Sequence, residues 1–426
     1  MPAAARTLTM SARASARARA RASASAARAR AHAHVRATGL GLLALAAAVL
    51  LLAGGLSAGD AAARASTYRQ PKIRHVFVIM LENEDYATTF GAPASDPYLA
   101  HTLPAQGALL EDYYATGHES NDNYIAIVSG QPPNVENQAD CQVFSDFVAA
   151  TTLPNGVETG EGCVYPSSVQ NIGTQLSAAG LSWKAYEQDM GNDPNRETAA
   201  CGHPAINTKD ETQDAVEGDG YATRHDPFVY FHSVIDNQTY CDEHVLAMGS
   251  PTGAMPAAAL RGETGLATDL KRAATTPTFS FITPNLCNDG HDYPCTNQPS
   301  GPSALADIDS FLETWVPKIT SSPAFKQNGL LEITFDESDG AQSDASSCCE
   351  ESPGPGSPLP GITGPGGGRI GAVLISPFIK PGTVSTTPYN HYSSLATFES
   401  LLSLPRLADA ATAPGTFGAD VFTAAK

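Results

Sequence analysis

The sequence predicts an α/β fold in which a largely parallel central sheet is flanked by helices. Four short apolar runs, rich in β-branched residues and bounded by loop residues, have the pattern of buried parallel strands. They are HVFVIML (75–81), TFSFIT (278–283), LLEITF (330–335) and GAVLIS (371–376). Helix-like stretches alternate with them, at 124–129, 167–179, 304–319 and 393–402. Strands that alternate with helices are typical of layered α/β domains.

Residues 1–63 have the pattern of an export segment. Eight arginines precede the uncharged, Leu- and Ala-rich run Ala37–Gly59, and small residues follow as far as Ala63. A basic stretch, an apolar stretch and a small-residue cleavage site are the features of a secretory signal. The apolar run is also long enough to remain as an uncleaved membrane anchor. Either alternative predicts a secreted or cell-surface protein.

The remainder of the chain is strongly acidic. Of the 25 lysines and arginines, eight lie in the export segment, which contains one of the 44 acidic residues, so the remainder has a net charge of about −26. Such a surface repels a nucleic-acid backbone, which argues against non-specific nucleic-acid binding. An anionic substrate would need local compensation of charge, most simply by a metal ion.

We expect one domain from residue 64 to residue 426, with two irregular regions inside it. Residues 189–262 are polar and irregular, which predicts a long insertion or cap. Residues 350–368 are rich in proline and glycine and can form neither a helix nor a central strand. This second region is interpreted as a surface loop or as a flap next to the functional site.

The eight cysteines all follow the export segment, which predicts structural disulfides in an oxidising compartment. None has Cys-x-x-Cys zinc spacing. Proximity in the sequence suggests the pairs Cys141–Cys163, Cys201–Cys241 and Cys287–Cys295. The neighbours Cys348 and Cys349 are not expected to pair with each other.

Polar pairs follow two of the predicted strands directly. Glu82-Asn83 comes after 75–81, and Asp336-Glu337 comes after 330–335. Ligands of open α/β sheets bind outside the carboxyl ends of the strands. Carboxylate and amide oxygens there suit a hard divalent cation. The alternative is that these acids cap helices or face solvent.

Ser120 precedes a predicted helix start in the segment GHESNDNY (117–124). Backbone N–H groups and the helix dipole stabilise an anion at such a position. A serine there can attack phosphorus if a metal or base assists its ionisation. The alternative is an ordinary N-cap, a role expected of one of Ser120, Asn121 and Asp122.

Four histidines lie in polar, turn-rich contexts, namely His118, His225, His291 and His391. Imidazole groups suit metal ligation, binding of phosphoryl oxygens and protonation of a leaving alkoxide. An exposed loop histidine without a special role is the alternative for each of them.

Eight segments together resemble the phosphoesterase family of secreted bacterial acid phosphatases and phospholipases C, a branch of the alkaline phosphatase superfamily. In chain order they are KIRHVFVIMLENEDYATTFG, HESNDNYIAIVSGQ, SWKAYEQDM, YATRHDPFVYF, TPNLCNDGHD, ITFDESDG, RIGAVLISPFIKPG and YNHYSSLATFESLLSLP. The resemblance covers roughly residues 72–405 and implies an alkaline phosphatase-like α/β fold.

The resemblance also implies roles for individual residues. A divalent metal ion, of undetermined identity and number, is held by Glu82, Asn83, Asp336 and Glu337, and by the nucleophile Ser120. Asn123 hydrogen-bonds the transferring phosphoryl group, and His291 acts near the phosphate or the leaving group. His225 and His391 are expected near the substrate. The chain departs from many relatives, which have Leu-Pro where it has Asn121-Asp122, and the added charge of Asp122 could change substrate preference.

The implied function is an exported, metal-dependent phosphoric monoester hydrolase that forms a phosphoserine. Its form is similar to the short acid phosphatases, including enzymes assigned as phosphatidylinositol 3-phosphate phosphatases. A small phosphate ester or a phospholipid head group is the expected substrate, and the protein could associate with membranes through that substrate or through an uncleaved anchor. One alternative is a phospholipase C-like phosphodiesterase. Another is an inactive cell-surface binding protein that retains the fold.

Overall fold

A computed structural model describes residues 68–91, 96–148, 151–349, 351–354, 356–412 and 415–423. The predicted export segment, Glu350 and Pro355 lie outside these residues. No helix in the described ranges is both long enough and apolar enough to cross a membrane.

Ten strands and ten α-helices form the described part of the chain. The strands are β1 (His75–Leu81), β2 (Ala108–Leu110), β3 (Tyr113–Tyr114), β4 (Trp183–Glu187), β5 (Val245–Ala247), β6 (Phe279–Thr283), β7 (Gly329–Phe335), β8 (Ala372–Ile375), β9 (Thr383–Ser385) and β10 (Tyr389–Asn390). The helices are α1 (Tyr86–Thr89), α2 (Leu103–Gln106), α3 (Ser120–Ser129), α4 (Ile172–Ala178), α5 (His232–Ile235), α6 (Gln238–His244), α7 (Leu266–Asp269), α8 (Ala304–Ser321), α9 (Pro323–Asn328) and α10 (His391–Leu402). Shorter 3₁₀ or π turns occupy Tyr98–Thr102, Asn137–Ala139, Thr223–His225, Pro227–Tyr230 and Ala408–Ala411.

Eight strands form one mostly parallel sheet, in the order β5-β4-β6-β1-β7-β8-β2-β9. The strands from β5 to β7 in this order are parallel to their neighbours, and β8 is antiparallel to both β7 and β2. Every residue of β6 and β7 is buried, which explains why these strands are almost continuously apolar. The predicted fold class is confirmed.

The four predicted strands are present, each within about two residues of its predicted ends. The predicted helices differ more at their starts. The helix predicted at 167–179 begins only at Ile172, because Asn171 caps it by accepting a hydrogen bond from the N–H of Thr174 at 2.9 Å. The helix predicted to begin at 124 begins at Ser120.

Residues 189–262 contain more regular structure than their polar sequence predicts. The segment supplies the edge strand β5 and the helices α5 and α6. It also buries the aromatic side chains of Phe228, Tyr230 and Phe231 in the main core. The segment is therefore packed into the domain at one edge of the sheet.

The three suggested disulfides, Cys141–Cys163, Cys201–Cys241 and Cys287–Cys295, are present. The expectation for the last two cysteines is wrong, since Cys348 and Cys349 are bonded to each other. With the other six cysteines paired among themselves, each of these two has no other cysteine left as a partner.

The Pro/Gly loop at 350–368 packs against the segment that precedes α3. The N–H of Gly367 donates to the carbonyl of Ala115 at 3.1 Å, and the N–H of His118 donates to the carbonyl of Pro360 at 3.1 Å. On its other side the carbonyl of Gly367 accepts a hydrogen bond from the N–H of Ser338 at 2.9 Å. The loop thus lies beside two of the segments that carry predicted site residues.

Candidate active site

Three acidic residues meet where the neighbouring strands β6, β1 and β7 end. Glu82 follows β1, Asp289 lies in the loop after β6, and Asp336 follows β7. The backbone joins them, because the N–H of Glu82 donates to the carbonyl of Asp289 at 2.9 Å and the N–H of Asp336 donates to the carbonyl of Leu81 at 2.8 Å. All three side chains are buried. The carboxyl edge of the parallel sheet therefore brings the two predicted polar pairs together.

Ser120 lies directly beside Glu82. Its hydroxyl donates a hydrogen bond to Oε2 of Glu82 at 2.9 Å, and Nδ2 of Asn83 donates to the same oxygen at 3.3 Å. The other carboxylate oxygen, Oε1, accepts from the hydroxyl of Tyr124 at 2.5 Å. Asn83 has a left-handed backbone with φ of 59°, and its N–H donates to Oδ1 of Asp336 at 3.0 Å. The predicted nucleophile and three predicted ligands thus form one connected group.

Glu337 completes the group on the side of the loop before α3. Its Oε2 contacts Nδ1 of His118 and accepts a hydrogen bond from the N–H of Glu119 at 3.1 Å. The other ring nitrogen of His118, Nε2, lies 2.9 Å from the carbonyl oxygen of Asp344. Burial, followed by the charge of Asp336, raises the pKa of Glu337 well above its ordinary value.

The charge of this carboxylate group fits a divalent cation. Burial, followed by the charges of Asp336 and Asp289, raises the pKa of Glu82 well above its ordinary value. Oδ2 of Asp336 is buried and has no hydrogen-bond partner within the described ranges. A bound cation would stabilise such an unpaired carboxylate oxygen among like charges. The side-chain oxygens of the four predicted ligands are of the hard type that a divalent cation prefers, namely those of Glu82, Asn83, Asp336 and Glu337. A second set of possible ligands overlaps it, because atoms of Glu82, His225 and His291 all lie within 4.8 Å of one another.

The first turn of α3 differs from the prediction. The N-cap position is Glu119, whose left-handed backbone has φ of 77°, so none of Ser120, Asn121 and Asp122 is the N-cap. The hydroxyl of Ser120 is therefore not used as a cap and bonds to Glu82. Asp122 is fully buried, and neither of its carboxylate oxygens has a partner in the described part of the chain. Burial, followed by the charge of Glu337, raises the pKa of Asp122 well above its ordinary value.

Asn123 lies beneath the loop before α3 and does not present a free donor. Its Oδ1 accepts hydrogen bonds from the N–H groups of Thr116 and Gly117, both at 3.0 Å. Its Nδ2 donates to the carbonyls of Gly117 at 2.9 Å and Glu119 at 3.1 Å. Both hydrogens of the amide are thereby used. This arrangement does not fit the predicted bond to a phosphoryl group, and it gives Asn123 the task of shaping the loop.

His391 lies behind the acidic group and not at its open side. Its ring is fully buried, with Nε2 at 2.7 Å from the carbonyl oxygen of Asp336 and Nδ1 at 3.2 Å from the hydroxyl of Tyr113. Burial lowers the pKa of His391 to about 4. The resemblance implies that His391 lies near the substrate. The structure differs, because both ring nitrogens are already bonded to other groups of the protein. His391 supports the turn after β7.

His225 is a buried imidazole between two acids. Its Nε2 lies 3.5 Å from Oε1 of Glu82, and its Nδ1 lies 3.3 Å from Oδ2 of Asp289. The ring stacks on Tyr124, with 5.1 Å between centroids and 3° between planes. Burial, followed by the charge of Arg224, lowers its pKa well below the ordinary value. His225 therefore reaches the acidic group, and its predicted place near the substrate stays a prediction.

His291 lies at the more open side of the site, with 29% of its side chain exposed. Its Nε2 lies 3.0 Å from Nη2 of Arg224, and its Nδ1 lies 2.8 Å from Oδ1 of Asp292. Because a guanidinium can only donate, Nε2 accepts here and Nδ1 carries the hydrogen. The buried Arg224 thus brings a positive charge next to the predicted catalytic histidine.

Three residues at the site are absent from the sequence-based set, namely Tyr124, Arg224 and Asp289. Asp289 had a weak signal, because it lies in the polar loop that follows the predicted strand 278–283, six residues after its end. Arg224 is a single basic residue in a polar segment, and Tyr124 is one aromatic residue of an apolar helix. Neither pattern indicates that the side chain turns toward the acids.

The sequence matches the model of the family described as "Phosphoesterase family" over residues 93–405. It is 26% identical over 354 residues to a protein named "Probable acid phosphatase" from Kluyveromyces lactis, covering 82% of this chain and 63% of that protein. It is 24% identical over 367 residues to "Phosphatidylinositol-3-phosphatase" from Mycobacterium tuberculosis, covering 86% and 89%. An "Acid phosphatase" from Aspergillus fumigatus is 24% identical over 334 residues, covering 78% and 55%. The match thus spans less than two thirds of each of the two fungal proteins.

Solved structures with a similar arrangement include a protein of the alkaline phosphatase superfamily from Vibrio parahaemolyticus, with a TM-score of 0.45 and 14% identity over 79% of this chain and 68% of that one. A sulfatase from Pseudoalteromonas has a TM-score of 0.40 and 13% identity over 78% and 68%. The family match confirms the resemblance that the eight motifs indicate. Since it spans most of the chain, the protein belongs to the phosphoesterase family.

Proposed function

We propose that the protein is an exported, metal-dependent phosphoric monoester hydrolase of the acid phosphatase type, with Ser120 as its nucleophile. The observation that carries the proposal is the 2.9 Å hydrogen bond from the Ser120 hydroxyl to Oε2 of Glu82, made inside a buried group of carboxylates. Ser120 is also the first residue of the ten-residue helix α3, whose N-terminal N–H groups favour an anion.

Glu82, Asn83, Asp336 and Glu337, together with Ser120, would hold the divalent cation. When bound, the cation would offset the negative charge of the phosphoryl group and lower the cost of ionising the serine hydroxyl. His225 and Asp289 extend this group of possible metal ligands toward β6.

Ser120 attacks phosphorus through Oγ, and its hydroxyl proton leaves toward Oε2 of Glu82, where the hydrogen bond already points. A bond forms between Oγ and phosphorus as the bond between phosphorus and the ester oxygen breaks, and the departing oxygen takes up a proton as the alcohol. Water then attacks the phosphoserine, which releases inorganic phosphate and restores the hydroxyl.

Arg224 and His291 serve the outer side of the site. The Arg224 guanidinium is suited to phosphoryl oxygens because it presents several donors in one plane. His291 is partly exposed, and its imidazole is suited to giving a proton to the leaving alcohol.

The names of the relatives support a monoester substrate. Those matched in the two fungi are acid phosphatases, and the mycobacterial relative, 89% of which is covered, is named for a phosphoinositide. We therefore infer that the substrate is a small phosphate ester or the head group of a phospholipid. Four disulfides and the predicted export segment support a location outside the cytoplasm.

The test compares hydrolysis of an aryl phosphate with that of the bis-aryl diester, with and without a chelator. We expect faster turnover of the monoester, loss of activity with the chelator and recovery on adding a divalent cation. Faster turnover of the diester would support the phospholipase C-like alternative. A metal-replete protein that turns over neither ester would support an inactive binding protein.

A further inference from the structure

Three large apolar side chains are exposed on two adjoining loops. Val135 is 44% exposed, Leu359 46% and Ile362 42%. Nε2 of Gln138 ties the loops together by donating to the carbonyls of Leu359 at 3.2 Å and Pro360 at 2.6 Å. We call Val135, Leu359 and Ile362 the rim patch.

Ile362 is held in a backbone conformation that isoleucine disfavours. Its φ is 59°, in the left-handed region where a β-branched residue is a genuine outlier and glycine is not. A tight turn fixes it there, since the N–H of Ile362 donates to the carbonyl of Leu359 and the N–H of Gly361 donates to that of Gly364, both at 3.0 Å. An exposed apolar side chain at a position better suited to glycine points to a use for that side chain.

The rim patch is connected to the loop that carries the proposed nucleophile. Pro360, between two members of the patch, accepts a hydrogen bond from the N–H of His118 at 3.1 Å. His118 precedes Ser120 by two residues, and its ring contacts Glu337 of the acidic group. A surface that contacts the patch therefore also lies close to the loop that carries Ser120.

The two chain segments that carry the patch, residues 131–164 and 341–368, contain several acids and neither lysine nor arginine. A methyl group placed on Gly356 would lie 2.9 Å from Cγ2 of Val135 and 3.1 Å from Oε1 of Glu161, so a carboxylate borders the patch. Anionic surfaces are repelled by this charge, whereas an uncharged apolar layer is not.

We propose that the rim patch docks the protein on an electrically neutral lipid layer and thereby presents the site to phosphoesters embedded in that layer. This inference rests on the proposed function, which supplies the phosphoester substrate. Transfer of apolar side chains of this size from water to the boundary between lipid head groups and acyl chains is favourable. This contribution to binding does not depend on the salt concentration. Docking raises the local concentration of a lipid substrate without a change in the catalytic residues.

The experiment uses phosphatidylcholine vesicles that contain a minor fraction of a phosphatidylinositol monophosphate. Binding is measured by flotation with the Ser120→Ala protein, so that turnover does not consume the substrate. Phosphate release from the vesicles and hydrolysis of a soluble aryl phosphate are measured with protein that retains Ser120. The variants are Leu359→Ser combined with Ile362→Gly, and the matched control Val384→Ser, which removes a 55% exposed apolar side chain from the edge strand β9.

We expect the double variant to lose vesicle binding and vesicle turnover by about tenfold or more, while aryl phosphate turnover changes less than about twofold. Binding should persist at high salt, and Val384→Ser should behave as the parent protein. Because glycine accepts the φ of position 362, the double variant should not unfold at a lower temperature.

Equal vesicle binding by parent and double variant would overturn the docking proposal. It would also be overturned if the parent protein were a dimer in solution that the double variant converted to a monomer, with vesicle turnover unchanged. If the parent protein failed to cleave the aryl phosphate, the proposed function would fail. Vesicle binding would still decide the role of the patch, because it is measured separately.

Discussion

The hydroxyl of Tyr124 donates a 2.5 Å hydrogen bond to Oε1 of Glu82, the carboxylate whose other oxygen accepts from Ser120. Ser120 and Tyr124, which lie one turn apart on α3, therefore hydrogen-bond to the two carboxylate oxygens of the same proposed metal ligand. This arrangement fixes the orientation of the carboxylate before any cation or substrate is present.

Tyr124→Phe should lower kcat and the affinity for the activating cation by about tenfold to a hundredfold, because Glu82 loses the donor that orients it. The ring remains, so its stacking on His225 should persist and the melting temperature should change little. Steady-state kinetics over a titration of the cation would measure both effects. Unchanged cation dependence would contradict the orienting role.

Ser120→Ala should reduce aryl phosphate turnover by about a thousandfold or more, since it removes the proposed nucleophilic hydroxyl. Ser129→Ala is the matched control on the same helix. The Ser129 hydroxyl donates to the carbonyl of Ile125 and accepts from the N–H of Gln131, both at the C-terminal end of α3. Quench-flow detection of phosphoserine in the parent protein gives an independent readout. Near-normal turnover by folded Ser120→Ala protein would eliminate the assignment.

Removal of the cation should lower the melting temperature as well as the activity, because the carboxylates of Glu82, Asp336 and Asp289 are then left without a counter-ion. A ligand at a hundred times its Kd stabilises a fold by about 2.7 kcal/mol, which sets the scale of the change. Differential scanning calorimetry with and without chelator would measure it. In Asp336→Asn protein the shift should be smaller, and an equal shift would place the cation elsewhere.

Glu332, inside β7, should make the fold less stable as the pH rises. Burial raises its pKa from 4.5 to about 7, although the hydroxyls of Ser394 and Tyr113 donate to Oε1 at 2.6 Å and 3.3 Å. The folded protein therefore keeps a proton that the unfolded chain releases. This group's contribution to the free energy of unfolding is intact below about pH 4.5 and falls as the pH rises to about 7, by at most on the order of 3 kcal/mol.

Glu332→Gln removes this titration, so its free energy of unfolding relative to the parent should increase across the same pH window. Urea unfolding at several pH values would measure the difference. The control is Glu313→Gln on α8, the same exchange at an exposed side chain. A constant difference between Glu332→Gln and the parent would mean that folding does not change the pKa of Glu332.

The sequence predicts the centre of the sheet better than its edges. β1 and β7 are apolar over most of their length because both faces are buried, and that pattern is visible without a structure. The strands β2, β5 and β9 have three residues each, too few for a periodicity, and only pairing with neighbours defines them. The start of α3 was missed because its polar residues Ser120 to Asn123 are buried at the site, where tertiary contacts override propensity.

The same limit applies to the site. The position of Glu82 and Asp336 after neighbouring strands predicts that they meet, and they do. Sequence motifs indicate which residues lie near a site, but they do not indicate the direction in which each side chain points. Asn123 and His391 belong to motifs around the site, yet both are bonded on the protein side, the first to the loop before α3 and the second to Asp336.

All ten residues of α3 are buried, so the helix that carries Ser120 has no solvent-facing side. Random substitutions along it should mostly damage packing, and changes of substrate preference are poorly accessible there. Libraries intended to alter selectivity should instead vary exposed side chains of the turn at 356–364, such as Leu359 and Ile362. These side chains are not part of the group of hydrogen bonds that holds Ser120 and Glu82.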